Sequence, residues 1–257
     1  MNAFADQVFL LGRRSVVRTI RQPANVVFPL LFPMLLLAVN SGGLKAETRL
    51  PGFPTDSFVA FALAVPFIQG ALFATMNAGT DLARDIQTGF LSRLSLTPMR
   101  RLAVLAGQLG GVVTMGLVQA LVYLSVGFAV GVRPASGALG VLVLLGFSLL
   151  IALGFGGLGA FAALRTGSGE AVQGIFPAFF VFLFISSMNI PRNLIAATWF
   201  RDVATANPIS YLIECVRSLI IVGWDGQALA LGFGMAALVT VASLALASWA
   251  LKVRMAR

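Results

Sequence analysis

Charged residues are so widely spaced along this chain that the gaps between them outline its architecture. Uncharged stretches run between Arg21 and Lys45, Asp56 and Asp81, Arg101 and Arg133, Arg133 and Arg165, Glu170 and Arg192, and Asp225 and Lys252. Each holds ~20 or more uncharged, mostly apolar residues, enough for a helix to cross the hydrocarbon of a bilayer. An all-α integral membrane fold with six transmembrane helices is therefore predicted. Pro29 and Pro33 interrupt the first span, which is expected to be kinked, its freed carbonyls satisfied by neighbouring helices. Ahead of it, residues 3–21 read as an amphipathic helix, with Phe4, Val8, Leu11 and Val16 near one face and arginines between them. Such a helix lies in the membrane interface, with its arginines at anionic head groups.

Composition narrows the chemistry. Of the 257 residues 58% are hydrophobic and 11% charged, with a mean hydropathy of +0.94; a soluble domain carries roughly 25% charged residues. A soluble globule, a disordered chain and a disulfide scaffold are excluded, and residues 1–257 read as one transmembrane domain. Histidine is absent, which removes His-based acid–base and nucleophilic catalysis and the commonest metal ligand. The single Cys215 forms neither an internal disulfide nor a cysteine metal cluster. Lys45 and Lys252 each follow a leucine, so no glycine-lysine phosphate loop exists and the chain is not a self-sufficient ATPase of that type. No catalytic, cofactor or metal site is expected. The spans hold no Asp, Glu, Lys or Arg, which weighs against an ion-coupled transporter or an intramembrane aspartyl protease, and no filter marks a channel.

The net charge of +9 follows topology. With the amino terminus inside, the inner segments hold 12 of the 18 Lys and Arg residues and the outer segments 6. That positive-inside bias places both termini in the cytoplasm and makes the basic excess no footprint of nucleic acid. Arg13-Arg14 is not read as a twin-arginine signal, because no small-residue cleavage site follows and five more spans do.

The inner loop 81–101 is the most informative segment. Ile86, Phe90 and Leu94 fall at i, i+4 and i+8, the apolar stripe of a short helix. Asp81, Arg84 and Asp85 precede it, and Thr97-Pro98 stops it ahead of Arg100 and Arg101. Such a helix either docks a soluble partner or merely reverses the chain. The outer segment 192–225 is too long for a plain turn; its apolar stretches 194–199 and 219–224 are expected as short re-entrant or interfacial helices. Asn207-Pro208 fits a turn that starts a helix, on which Glu214 and Arg217 are spaced to pair, either bracing this outer cap or gating it.

Other features have plainer readings. Gly154, Gly156 and Gly159 form a GxGxxG pattern inside a span with no preceding strand, which points to helix packing. Gly107/Gly111 and Gly127/Gly131 have the spacing of interhelix contacts. Among 21 phenylalanines, those at 176, 179, 180, 182 and 184 are the best candidates for an aromatic substrate pocket, the alternative being lipid contact or packing; Phe176 and Phe180 lead this set. Gln69, Asn77, Gln108, Gln119, Gln173 and Asn189 are the polar groups expected in the bundle interior, lining a substrate path or bonding a neighbouring helix.

Acidic residues followed by Thr88-Gly89-Phe90-Leu91, then Leu94, Thr97-Pro98 and two arginines, resemble the coupling-helix region of type-2 ABC exporter permeases. The segment Asn207-Pro208-Ile209-Ser210-Tyr211 followed by Glu214 and Arg217 resembles that family's second hallmark. The order of interfacial helix, spans and both motifs is most similar to the daunorubicin-resistance-like drug-export subgroup. The resemblance implies a permease subunit that is not itself an enzyme, with ATP and Mg on separate soluble ATPase subunits, two per complex. Asp81, Arg84, Asp85, Gly89, Thr97, Pro98, Arg100 and Arg101 would then lie at the ATPase interface, with Phe90, Leu91 and Leu94 as its apolar knob. Asn207, Pro208, Tyr211, Glu214 and Arg217 would belong to a cap over the exit pathway. A second permease copy, identical or different, completes the pathway in a bacterial cytoplasmic membrane. The expected cargo is an amphipathic drug or lipid-like molecule. Alternatives are export of a lipid-linked polysaccharide or glycolipid, and a non-transporting scaffold or sensor subunit.

Overall fold

The structure, a computed structural model, describes residues 3–97 and 99–255; among these the chain is helical and no strand occurs. It opens with α1 (Ala3–Ile20). Pro23 begins α2 (Pro23–Gly43), at a position where a missing amide proton costs nothing. Pro29 and Pro33 lie inside α2, and each deprives the carbonyl four residues back of its amide partner. Side chains from two other helices fill both vacancies. Asn77 Nδ2 donates to Asn25 O at 3.2 Å, and the Tyr123 hydroxyl donates to Pro29 O at 2.8 Å. The predicted first span therefore stays a single helix.

The second span is α3 (Phe58–Ala62) and α4 (Ala64–Gln87), separated at Leu63 just ahead of Pro66. Every residue from Phe61 to Thr75 is buried, which makes α4 the hub of the bundle. A short α5 (Phe90–Ser95) leads to α6 (Arg101–Ala129), followed by α7 (Gly137–Thr166), α8 (Gly169–Phe184), α9 (Thr198–Ala206), α10 (Pro208–Arg217) and α11 (Gly226–Arg254).

The glycine pattern of α7 is a packing device. Gly159 lies against the Thr75 backbone of α4, Gly156 against Val112 of α6, and Gly154 and Gly157 against Thr240 and Ser243 of α11. A Cβ at any of the four would collide with its neighbour, so the pattern lets α7 approach three helices at once. Gly107 and Gly111 serve α1 instead of another span: they receive Leu11, Ser15 and Thr19. Gly127 meets Leu63, while Gly131 lies beyond the helix in a left-handed conformation with open space around it.

Five segments of the described chain are long and apolar enough to cross a membrane: α2, α3–α4, α6, α7 and α11. The predicted fifth span differs, because α8 has 16 residues, about 24 Å of helix against ~30 Å of hydrocarbon. Asn207 ties down its carboxyl end, donating from Nδ2 to Phe182 O at 2.6 Å and Ile185 O at 3.2 Å. The segment that follows is a bent helix pair, α9 meeting the helix Pro208–Val222 at 82°, and taken as one span it brings the apolar spans to six. Its helices sit at Thr198–Ala206 and Pro208–Val222, displaced from the apolar stretches 194–199 and 219–224. The start is set by capping, since Asn207 Oδ1 accepts from Ile209 N at 2.9 Å with Pro208 in the first helical position.

The bundle has two distinct ends. At the terminal end, α1, α5 and the final turns of α4, α7 and α11 converge; Gln87 Nε2 donates to Gly167 O at 3.2 Å, and Arg254 Nη1 to Leu164 O at 2.7 Å. At the opposite end, α3, α10 and the turn after α8 meet the loop before α7, where Ser136 Oγ donates to Leu219 O at 2.7 Å.

Candidate functional site

The terminal end is organised around Asp85, in the last turn of α4 and 2% exposed. It accepts from Arg14 Nη1 and Nη2 at 2.9 and 2.7 Å, from Arg18 Nη1 at 2.9 Å and from Gln108 Nε2 at 2.6 Å. One turn earlier, Asp81 pairs with Arg18 Nε at 3.0 Å. Two carboxylates of α4 thus bind two guanidiniums of α1, a charge-balanced network with one bidentate pair. Hydrogen bonding to Asp85 pushes the Arg14 guanidinium above its ordinary value. The Arg14 guanidinium also lies 3.8 Å from the centre of the Phe90 ring. The arginines of α1 are therefore divided. Arg14 and Arg18 turn inward, while Arg13 and Arg21 remain exposed.

The polypeptide then reverses. Thr88 Oγ1 donates to Arg84 O at 2.9 Å, and Gly89 takes φ +71°, which a side chain would disfavour. This turn starts α5, and the Thr97 hydroxyl closes it by donating to Leu94 O at 2.7 Å. The apolar stripe does not project as a free knob. Leu91 and Leu94 are 5% and 8% exposed within the bundle's second apolar core, and Ile86 and Phe90 pack beside them. The stripe is satisfied by the permease itself, because burying it against α4 within the second apolar core holds so short a helix in place. Likewise Asp81 and Asp85 face α1 and not solvent. The outward surface is made by Arg84, Gln87, Thr88, Arg93 and Leu96, and Leu96 is 87% exposed. Arg100 is exposed near the Phe4 ring of α1. Pro98 and the side chain of Arg101 lie outside the described residues.

The polar residues expected in the interior do not form one site. Gln69 and Gln119 are buried in the core where α4 meets α6, and Gly70 leaves room for Gln119 Oε1. Both amide atoms of Gln69 and the Nε2 of Gln119 have no protein partner among the described residues. Asn77 is committed to α2, as described, and Gln108 to Asp85. Gln173 is exposed on α8, and Asn189 is half-buried in the turn beyond it. Phe176 and Phe180 pack on each other, and Phe73 and Phe32 extend the cluster to α4 and α2. Phe179 packs on Phe155, whereas Phe182 and Phe184 are exposed.

At the opposite end, the expected Glu214–Arg217 pair is replaced by two separate arrangements. Glu214 pairs with Arg192 across the segment, and the Arg192 guanidinium lies 4.7 Å from the centre of the Tyr211 ring. The Tyr211 hydroxyl donates to Thr205 O at 2.8 Å, bracing α9 on α10. Arg217 is buried and binds backbone alone: Nε to Phe61 O at 3.3 Å, Nη1 to Ser187 O and Nη2 to Met188 O, both at 3.1 Å. Its guanidinium lies 3.5 Å from the centre of the Phe61 ring. These carbonyls lie in α3, two residues ahead of its break at Leu63, and in the turn after α8.

A family model for the ABC-2 type transporter matches residues 6–221, from the interfacial helix through the bent pair. The chain belongs to the ABC-2 type transporter family. A daunorubicin-resistance ABC transporter permease of Streptomyces coeruleorubidus is 28% identical over 201 residues, covering 76% of this chain and 66% of that protein. A probable doxorubicin-resistance ABC transporter permease of Mycobacterium tuberculosis is 25% identical, covering 86% of this chain and 79% of that protein. A putative transport permease of Cyanophora paradoxa is 24% identical over 84% of this chain and 74% of its own length. Permeases of this family are membrane components, with ATP hydrolysis carried by separate subunits. Within the ABC-2 permease, the inward role of Arg14 and Arg18 was missed by amphipathic pattern alone. A signal was present: Arg14 and Arg18 are four apart on one helix, as are Asp81 and Asp85 on another, two complementary pairs of equal pitch.

Proposed function

We propose that this chain is the membrane subunit of an ATP-driven exporter that carries an amphipathic drug outward from the cytoplasm or inner leaflet. The terminal end faces the cytoplasm in this reading, consistent with the lysine and arginine bias. An ATPase subunit docks there on the surface of Arg84, Gln87, Thr88, Arg93 and Leu96, in a complex with two ATPase subunits and two permeases. The observation that carries the reading is the Asp85 network. It ties α1, the end of α4 and α6 together by hydrogen bonds, beside the surface on which the partner would dock. A push on α5 then moves α4, the most buried helix, which is how a closing ATPase pair can shift the bundle between inward- and outward-open forms.

The drug class comes from the relatives named for daunorubicin and doxorubicin resistance. Gln69 and Gln119 carry buried amide atoms with no protein partner among the described residues, a polar character that suits an amphipathic molecule better than a simple ion. The test is ATP-dependent accumulation of daunorubicin in inverted vesicles holding this chain and its co-purifying ATPase. Accumulation that needs both ATP and this chain supports the proposal. Movement of a lipid-linked glycan with no drug movement would transfer the assignment to glycolipid export, and ATP hydrolysis with neither would leave a scaffold role.

A further inference from the structure

The terminal end carries a groove that borders the proposed docking surface. It opens between α5 and the last turns of α7 and α11, with a volume of about 650 Å³. Leu96, Leu164, Ala250, Val253 and Met255 give it an apolar lining, and Ile86 and Leu91 close it on the α5 side. Phe90 and Leu94 do not line it, so it is distinct from the stripe packed against α4. Arg165 and Arg254 also line it, and no carboxylate does among the described residues. Neither arginine pairs with a carboxylate among those residues. Arg165 lies 5.3 Å from the centre of the Trp249 ring, and Arg254 donates to Leu164 O. Asp81 and Asp85 offer no compensation, because both are bound to α1.

Position, continuity and charge indicate the occupant. Trp249, half-exposed beside Arg165, has the amphipathic ring typical of the membrane–water boundary. Val253 and Met255 follow it along α11 by about 6 and 9 Å at 1.5 Å per residue, so the groove lies on the aqueous side. Leu96 belongs both to the groove and to the docking surface. Gln87 of that surface bonds Gly167 O, and the Arg254 guanidinium lies against Gly167. Two guanidiniums without carboxylates beside an apolar lining match a segment that pairs a large apolar side chain with an acidic one. We infer that the groove receives such a segment from the ATPase subunit. Its apolar anchor enters between α5 and α11, and its Asp or Glu pairs with Arg165 and Arg254. The inference rests on the proposed docking of that subunit at the terminal end. It adds an attachment through which the ATPase holds α7 and α11 as well as α5.

Photocross-linking from position 253 and, separately, from position 96 tests this in the intact permease–ATPase complex, with linked peptides identified by mass spectrometry. Both positions are expected to link the ATPase, and the peptide reached from 253 should hold an apolar residue next to an Asp or Glu. Arg165→Glu lowers affinity for the ATPase roughly fivefold, and reversing the linked carboxylate to Arg restores it. Val253→Trp, which fills the groove, lowers affinity by about tenfold or more at unchanged melting temperature. Lys252→Gln, whose exposed side chain does not line the groove, leaves affinity unchanged. Position 253 linking only lipid, the permease itself or a second copy, while 96 links the ATPase, would overturn the inference and leave the docking surface standing. Affinity unaffected by both Arg165→Glu and Val253→Trp would overturn it as well. No ATPase link from either position would remove the docking reading, and the inference with it.

Discussion

The two ends of this permease bury arginine in opposite ways. At the terminal end, Arg14 and Arg18 meet the carboxylates of Asp81 and Asp85 across two helices. At the opposite end, Arg217 meets three backbone carbonyls and a phenylalanine ring, with no carboxylate bound to it among the described residues. The first arrangement couples separate elements by charge. The second ties the backbone of α3 to that of the turn after α8 through one side chain. One end is joined from side chain to side chain, the other from side chain to main chain.

The largest expected effect comes from breaking the charged end. Asp85→Ala leaves two guanidiniums facing each other in a partly buried pocket, and losing one partner of a buried ion network costs about 3–5 kcal/mol. A fall in thermal stability, with α1 becoming sensitive to protease, is the outcome to look for. Charge reversal on both sides (Asp85→Arg with Arg14→Asp) should recover part of it. An Asp85→Ala protein with unchanged melting and an intact α1 would show that α1 is held by packing on Gly107 and Gly111 alone.

Arg217→Met comes next. It keeps the bulk and removes three hydrogen bonds, for an expected loss of about 2–3 kcal/mol after relief of the arginine's own burial. The loss should open the opposite end only, seen as faster hydrogen exchange in α10 and the turn after α8 with α1 unchanged. Exchange rising equally at both ends would erase the distinction between them.

Tyr123→Phe is smaller, about 1 kcal/mol, the typical worth of one hydrogen bond between membrane helices. It orphans the carbonyl that Pro33 frees on α2, and hydrogen exchange localised to α2 is the expected signature. Smallest for stability is Leu96→Ala, near zero because the side chain is 87% exposed. Its effect should fall on ATPase docking, read as lost co-purification at unchanged melting temperature. Leu94→Ala should do the reverse, since Leu94 is buried in the apolar core.

These contrasts also mark how far the sequence could be read. The uncharged intervals located α2, α4, α6, α7 and α11, because hydropathy over 20 residues is a local quantity. The same rule anticipated that neighbours would rescue Pro29 and Pro33 but could not name Asn77 and Tyr123, which arrive from distant helices. It marked α8 as apolar but could not show that the helix is 16 residues long, or that Asn207 ties down its carboxyl end. Periodicity found the stripe of Phe90 and Leu94 correctly and left its direction open, for a short amphipathic helix has an apolar face whether it docks inward or outward. Glu214 and Arg217 were matched by spacing, yet Arg192 takes the glutamate and the broken α3 takes the arginine.

The most direct test of the central claim, that the outward face of the 81–101 loop and not its apolar stripe meets the ATPase, is site-specific photocross-linking. A photoreactive residue would be placed at Leu96 and, separately, at Leu94 in the intact complex. Cross-links to the ATPase subunit from position 96, with position 94 linking only within the permease, are predicted. ATPase cross-links from position 94 and none from 96 would contradict the inward packing of α5 and the docking surface built on it.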